Sequence, residues 1–221
     1  MKNMPRLLAA AALFAATGYT HAVTLIPNTF VNLPGTTSAA EPQLAGLVLE
    51  DVVAPFSFSD GRGTISGTVQ SRVVRSDMDG TLDFYWRVVM DASSNSAVGS
   101  FRIGNFFPPE YNANWRIDGL GNVAPNSAYL FSSPAGAVNY MYTSANGGGS
   151  LGAGKESYFM LMDTTATKYN MSGVYDLANF GQTRISELFP TFAPAVPEPE
   201  TYGMMLAGLA AIGLAAKRRR V

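Results

Sequence analysis

The chain of 221 residues has no cysteine, and its single histidine is His21. His21 falls in a segment that we expect to be removed, so the mature protein would hold neither residue type. Ser-His-Asp and Cys-His nucleophilic sites need a histidine. Zinc sites of the usual type and c-type haem attachment need histidine or cysteine. Carboxylate catalysis, a Ser-Lys pair and oxygen-only calcium or magnesium sites remain open, and we expect no cofactor.

Charge is also sparse, and basic residues are the scarcer kind. Residues 23–196 contain nine basic and 14 acidic side chains, a net charge of −5. Nucleic-acid binding usually needs a basic face, so we expect no nucleic-acid partner. A segment of about 170 residues can bury one core, which predicts one domain. Without cysteine, that core must stabilise the domain with no disulfide.

The amino terminus is typical of a secretory signal peptide. Two basic residues, Lys2 and Arg6, precede an apolar run of 10 residues over 7–16. Ala22 lies directly before the expected cleavage site. The apolar run is too short to span a membrane as a helix. We therefore predict a signal peptide over residues 1–22, export by the Sec machinery, and cleavage between Ala22 and Val23.

The carboxyl terminus has three parts in a fixed order. A proline-rich segment comes first, with Val196, Pro197, Glu198, Pro199 and Tyr202. An uncharged run follows over 203–216. A basic cluster comes last, formed by Lys217, Arg218, Arg219 and Arg220. We predict a short transmembrane helix over residues 203–216. Its 14 residues would measure roughly 21 Å, against a bilayer core of about 30 Å. The basic cluster predicts a cytoplasmic tail over 217–221. An ordinary membrane anchor with a proline hinge is the alternative.

These three parts resemble the PEP-CTERM sorting signal of Gram-negative bacteria. The resemblance implies export, an inner-membrane-anchored precursor and processing by an exosortase, a membrane transpeptidase. It also implies a final location at the cell surface or outside the cell. The context it suggests is a bacterium that makes exopolysaccharide and biofilm.

The central part of the chain has the period-two alternation of half-buried antiparallel strands. Ile65, Val69 and Val73 alternate with polar residues over 64–73. From 82 to 90, every second residue is large and apolar, with Trp86 in the middle. Asp79-Gly80 between the two runs favours a hairpin turn.

Six further strands are predicted, and no mature segment has a convincing helical period. They are 47–53, 98–103, 138–142, 157–162, 173–177 and 183–188. We therefore predict an all-β fold, an antiparallel β-sandwich of jelly-roll or Ig-like type, over residues 47–192. An irregular segment (23–46) should precede it, and a proline-rich linker (193–202) should follow it.

Two segments come close to known ligand-binding loops. Residues 149–156 nearly match a phosphate-binding loop, but Glu156 occupies the Ser/Thr position and an apolar strand follows in place of a helix. Asp77 and Asp79 suggest a calcium loop that lacks the first ligand and the bidentate glutamate of an EF-hand. A polar hairpin turn is the simpler interpretation, and a calcium site of another type at these two aspartates is the alternative.

The function we expect is non-catalytic, in an exported surface or matrix protein associated with exopolysaccharide. The first alternative is a carbohydrate-binding module, since aromatic side chains stack on sugar rings; the candidates are Tyr111, Trp115, Tyr129, Tyr140 and Tyr142. The second is a carboxylate-dependent hydrolase of polysaccharide, which needs two acids across one cleft. Glu50 and Asp51 are neighbours in a strand and should point to opposite faces. Lys155 and Ser157 are a weak candidate for a Ser-Lys nucleophile.

Overall fold

Two six-stranded antiparallel sheets make up the fold in the computed structural model, which describes residues 22–142, 150–195 and 209. In chain order the strands are β1 (Val23–Thr24), β2 (Phe30–Asn32), β3 (Gly46–Ser59), β4 (Thr64–Ser76), β5 (Leu82–Met90), β6 (Val98–Gly104), β7 (Asn112–Trp115), β8 (Ser127–Leu130), β9 (Val138–Met141), β10 (Met160–Asp163), β11 (Tyr169–Asn179) and β12 (Phe189–Pro194). The first sheet has the order β1-β7-β10-β5-β4-β3 and the second β12-β11-β6-β9-β8-β2. The predicted all-β class is confirmed. The jelly-roll or Ig-like subtype stays a prediction.

The core lies between the sheets and is centred on β5. The inward side chains of this strand are all buried, as the alternation predicts: Leu82, Phe84, Trp86, Val88 and Met90. From the second sheet Phe101 approaches Trp86, with 6.2 Å between ring centroids. Phe106 meets the same indole edge-on at 5.7 Å. Aromatic contacts of this kind add to the stabilisation from buried area.

The outer face of β5 differs from the exposed polar face that we expected. Asp83 is only 1% exposed and Tyr85 only 3%. A short 3-10 helix, Pro42–Leu44, crosses this face, and the Tyr85 hydroxyl donates a hydrogen bond of 2.9 Å to the carbonyl of Leu44. A second small cluster forms there, from Leu44, Val74, Tyr85, Phe159 and Leu161. The prediction failed because the covering segment is distant in the sequence.

Several element boundaries also differ from the predicted ones. β3 extends to Ser59 and β10 begins only at Met160. Residues 183–188 form no strand beyond one bridge at Ile185, and β12 begins after them. The segment 23–46, expected to be irregular, supplies β1 and β2. Strands of two or three residues are too short to show a period in the sequence.

The β4–β5 connection is the hairpin turn that we predicted. The backbone N–H of Ser76 donates to the carbonyl of Thr81 at 2.9 Å. Gly80 closes the turn with φ +74°, a conformation that glycine adopts without strain.

Candidate functional site

Two grooves lie on the outer faces of the sandwich, one on each sheet. The groove on the first sheet, here called the arginine groove, has a volume of about 330 Å³. Its main lining residues are Arg72, Tyr85, Arg116, Asp118, Leu120 and Phe159. The Arg72 guanidinium lies 4.8 Å from the centre of the Phe159 ring, a cation–π contact.

The charges of the arginine groove are largely paired within the protein. Arg72 binds Asp51 at 2.7 Å and Arg116 binds Asp118 at 2.6 Å. Burial alone would raise the pKa of Asp118, but hydrogen bonds from Arg116 and Ser38 hold it well below its usual range. The groove therefore has a fixed set of ion pairs and one carboxylate.

The groove on the second sheet, here called the aromatic groove, has a volume of about 350 Å³. Arg102 and Asp176 form its floor through a two-point ion pair, with N···O distances of 2.6 and 2.7 Å. Phe131 and Leu188 are part of its wall, and Leu188 is 64% exposed. The floor residues are polar and the wall is apolar, which is typical of a small-ligand site.

An in-register row of outward side chains continues from this floor across the second sheet. On β6, Arg102 is paired in register with Asp176 of β11 on one side and with Asn139 of β9 on the other. Asn139 is paired with Tyr129 of β8, and Tyr129 with Phe30 of β2. The Tyr129 ring lies 4.7 Å from Phe30 and 4.8 Å from Phe131. Phe30 is 63% exposed. Three aromatic rings therefore stand beside a polar floor.

Two polar atoms in this region are buried without a hydrogen bond to any described residue. They are Oδ1 of Asn139, in the row, and the hydroxyl of Tyr175, which lines the groove. Burial raises the pKa of Tyr175 to about 12, so its hydroxyl stays protonated. Buried polar groups normally find a partner, but the fold covers both of these atoms, so they are not open to a ligand on the sheet surface.

Two of the five aromatic residues proposed from the sequence as sugar platforms are core residues, and that prediction is wrong for them. Tyr140 and Tyr142 are 0% and 1% exposed. Their hydroxyls bond to the Leu161 carbonyl and the Met160 sulfur. Alternation along β9 turns both rings inward, where a sugar cannot reach them.

The other three proposed sugar platforms, Tyr111, Trp115 and Tyr129, differ in what their side chains contact. Tyr111 donates to the Phe106 carbonyl at 2.9 Å, and the Trp115 indole packs on Gly35 and donates to the Leu33 carbonyl. Tyr129 alone among the five belongs to the aromatic row. Phe30 was missed because it lies outside any periodic run.

The carboxylates of the described residues do not form a catalytic pair in either groove. Each groove holds one, and that one is bound to an arginine. Glu50 and Asp51 point to opposite sides as expected, since Glu50 accepts a hydrogen bond from Tyr169 and Asp51 bonds to Arg72.

Asp83 and Asp163 lie close together, but both are outside the two grooves. Burial and the negative charges of Asp163 and Asp79 raise the pKa of Asp83 to about 9. Burial and the charge of Glu41 raise the pKa of Asp163 as well. Asp83 is therefore a protonated, buried acid at neutral pH.

Asp77 and Asp79, the residues of the alternative calcium site, belong to the hairpin turn. One carboxylate oxygen of Asp79 accepts hydrogen bonds from the Thr81 hydroxyl and N–H, at 2.6 and 3.0 Å. These bonds lower the pKa of Asp79. Asp77 is exposed beside it. Within residues 22–142 and 150–195, no group of three or more histidine, cysteine or acidic side chains is placed to hold a metal ion.

The other weak candidates are structural. Ser157 is fully buried, and its hydroxyl accepts the N–H of Val88 at 2.9 Å, while Lys155 is exposed. No helix follows the glycine segment: Glu156 forms a backbone bridge with Val89. The structure therefore gives no geometry for a Ser-Lys nucleophile or a phosphate loop in this segment.

The sorting residues (Val196, Pro197, Glu198, Pro199, Tyr202 and Lys217 to Arg220) lie outside the described residues, as does the signal peptide up to His21. Of the predicted membrane helix, only Leu209 is described, in a helical conformation. Among the described residues, no helix is long and apolar enough to cross a membrane.

Comparison with known families identifies a sorting motif at the carboxyl terminus. Residues 195–220 match the family described as the PEP-CTERM protein-sorting motif. No curated protein and no solved structure matches the chain. The motif is that of exosortase substrates, and it implies an exported protein with a membrane-anchored precursor.

Proposed function

We propose that this exported exosortase substrate is a non-catalytic surface or extracellular-matrix protein that contacts exopolysaccharide through the aromatic groove and the row of side chains that continues from its floor. The observation that carries the proposal is the row on the second sheet, in which Phe30 and Tyr129 continue into Asn139, Arg102 and Asp176. After exosortase processing, the domain would act at the cell surface or outside the cell.

The chemistry of the row suits a sugar ring. The C–H faces of a sugar pack on aromatic rings, and its hydroxyls both donate and accept hydrogen bonds. Arg102 offers donors beside Asp176, and its side chain is 32% exposed. A sugar hydroxyl can accept a hydrogen bond from this guanidinium, and pairing of polar groups contributes to specificity.

Among the described residues, the aromatic groove holds no second acid, which supports a binding role over hydrolysis there. Glycosidases of the common type place two acids about 5–9.5 Å apart across the scissile bond. Asp176 is the only acid among the residues that line the aromatic groove, and Arg102 holds both of its oxygens. A carboxylate engaged in this way is poorly placed to act as a nucleophile or base.

Binding of the exported protein to polysaccharide tests the proposal. The protein from culture should bind the exopolysaccharide of its host on a glycan surface, and Tyr129→Ala should weaken binding about tenfold, or about 1.4 kcal/mol. Leu120→Ala is the control, because Leu120 is 59% exposed on the arginine groove of the other sheet. A folded Tyr129→Ala protein with unchanged binding would contradict the proposal.

A further inference from the structure

β3 differs from the other three edge strands of the sandwich. The sheets end at β1, β3, β12 and β2. Three of these edges are short, with two, six and three residues for β1, β12 and β2, whereas β3 has 14. In the described part of the chain, β3 pairs only with β4. A long edge strand presents a row of unpaired N–H and C=O groups that can accept another strand.

The middle of β3 is exposed on both of its faces. Val52 and Val53 are consecutive, so their side chains point to opposite sides of the sheet. They are 40% and 58% exposed, whereas Phe56, further along, is only 3% exposed. The second sheet therefore leaves Val52 partly uncovered on the inner face, and Val53 is exposed on the outer face. Apolar surface flanks the open edge on both sides.

The usual protection of an edge strand is weak at this point. β3 contains no lysine or arginine, and its two acids are already bound, Asp51 to Arg72 and Glu50 to Tyr169. A bulge between Val48 and Glu50 and the proline at position 55 interrupt the strand on either side. These devices leave a short open window from Glu50 to Ala54.

We propose that two copies of this protein pair antiparallel through β3, with Val52 directly opposite the partner's Val52. Proline in a sheet lies on edge strands with its nitrogen toward solvent. Residues of the same parity as Pro55 then direct their N–H and C=O groups to the open edge, and within the window these are Asp51 and Val53. Pairing Asp51 with the partner's Val53 forms four backbone hydrogen bonds by the two-fold symmetry.

This register also satisfies the charges and the apolar surface. Asp51 lies across from the partner's Val53 and Glu50 across from the partner's Ala54, so no two acids face each other. Val52 and the partner's Val52 cover each other on the inner side. The result is one continuous sheet across two copies, and it does not depend on the proposed binding of polysaccharide.

Cysteine cross-linking tests the register, since the parent chain has no cysteine to interfere. In a non-hydrogen-bonded antiparallel pair the Cα atoms are about 4.5 Å apart, within the disulfide range of about 4.4–6.8 Å. The full chain carrying Val52→Cys, exported to an oxidising compartment, should therefore form a disulfide-linked dimer. Val53→Cys is the matched control: it is at least as exposed, but faces the partner's Asp51, and should cross-link severalfold less.

Three cross-linking results would overturn the proposal. The first is no dimer from Val52→Cys, and the second is a higher yield from Val53→Cys. The third is an equal yield from both variants and from Leu188→Cys, which is 64% exposed on the second sheet. Equal yields would mean random collision.

A charge pair gives a second measurement without a covalent bond. The full chain in detergent should sediment as a dimer. Val52→Lys places two lysines opposite each other and should shift the protein to monomer, while Val53→Lys faces the partner's Asp51 and should leave the dimer intact. A monomeric parent, or equal effects of the two lysines, would overturn the proposal.

Discussion

The indole N–H of Trp86 donates a hydrogen bond of 2.8 Å to the hydroxyl of Thr191. Trp86 lies in the centre of the first sheet and Thr191 on the last strand of the second, so this buried bond joins the two sheets through the core. The Thr191 hydroxyl in turn lies 3.3 Å from that of Ser71. The polar atoms of the indole and both hydroxyls are therefore satisfied inside an apolar layer.

Replacing Trp86 with alanine should strongly destabilise the domain. Removal of a fully buried aromatic side chain costs about 3–5 kcal/mol of unfolding free energy, a large part of a typical total of about 5–15 kcal/mol. Urea unfolding measures the loss. Leu120→Ala, at a 59% exposed position, should change it by less than about 0.5 kcal/mol. A Trp86→Ala protein as stable as its parent would mean that the indole is not a core group.

Asp83→Asn should be increasingly more stable than the parent as pH rises. The native pKa of Asp83 is about 9, against about 3.9 unfolded. Both states are protonated below about pH 4, so the stability is fully present there. Above it the unfolded state ionises first, and the parent loses up to about 1.4 kcal/mol per pH unit until about pH 9. Asparagine does not titrate, so its advantage should grow across this window in urea unfolding.

Asp118→Asn is a control in which the change of stability with pH should have the opposite sign. The pKa of Asp118 is held well below its usual range, so its contribution is present above about pH 4 and lost as pH falls. This variant should be less stable than the parent at neutral pH and approach it in acid. The same pH dependence in both variants would contradict the opposite pKa shifts, which arise from burial near other acids at Asp83 and from hydrogen bonds with Arg116 and Ser38 at Asp118.

Calcium should have no effect on thermal unfolding. One oxygen of Asp79 already accepts two hydrogen bonds from Thr81, and among the described residues no third acidic side chain is placed to complete a cation site with Asp77 and Asp79. Scanning calorimetry of the chain in chelator and in excess calcium should give the same Tm. An increase that Asp77→Asn abolishes would instead show a site at Asp77 and Asp79, through binding to the native state.

Replacing Pro197, Glu198 and Pro199 with alanine should leave an uncut precursor in the inner membrane. The three residues lie in the matched sorting motif, and prolines favour an extended segment that a processing enzyme can grip. Immunoblots of membrane and culture fractions report the outcome. Normal maturation of the triple variant would show that these residues do not direct processing.

The sequence predicts the central strands well because their pattern is local. Alternation over 82–90 identified the inward face of β5 correctly, since each side chain's direction follows from its position in the strand. The same pattern could not show that Pro42–Leu44 packs on the other face and covers Tyr85. That contact joins residues about 40 positions apart, and no local period records it.

The aromatic side chains show the same limit of local patterns, since some were wrongly expected at the surface and others there were not identified. Tyr140 and Tyr142 lie beside glycine-rich segments and resembled surface platforms, yet their hydroxyls find partners on β10. Phe30 and Phe131 have no pattern around them, and only the pairing of β2, β8 and β9 brings their neighbourhood together. The sorting signal was found directly because its information is linear in the chain.

The position of β12 has a mechanical consequence for the anchored precursor. β12 ends at Pro194, and the matched motif begins at the next residue. Tension on the anchor would therefore reach β12 before any other strand. β12 is held by its antiparallel hydrogen bonds with β11. The hydrogen bond between Trp86 and Thr191 also connects the middle of β12 to the first sheet. Cutting within the tail would release the load without disturbing the fold.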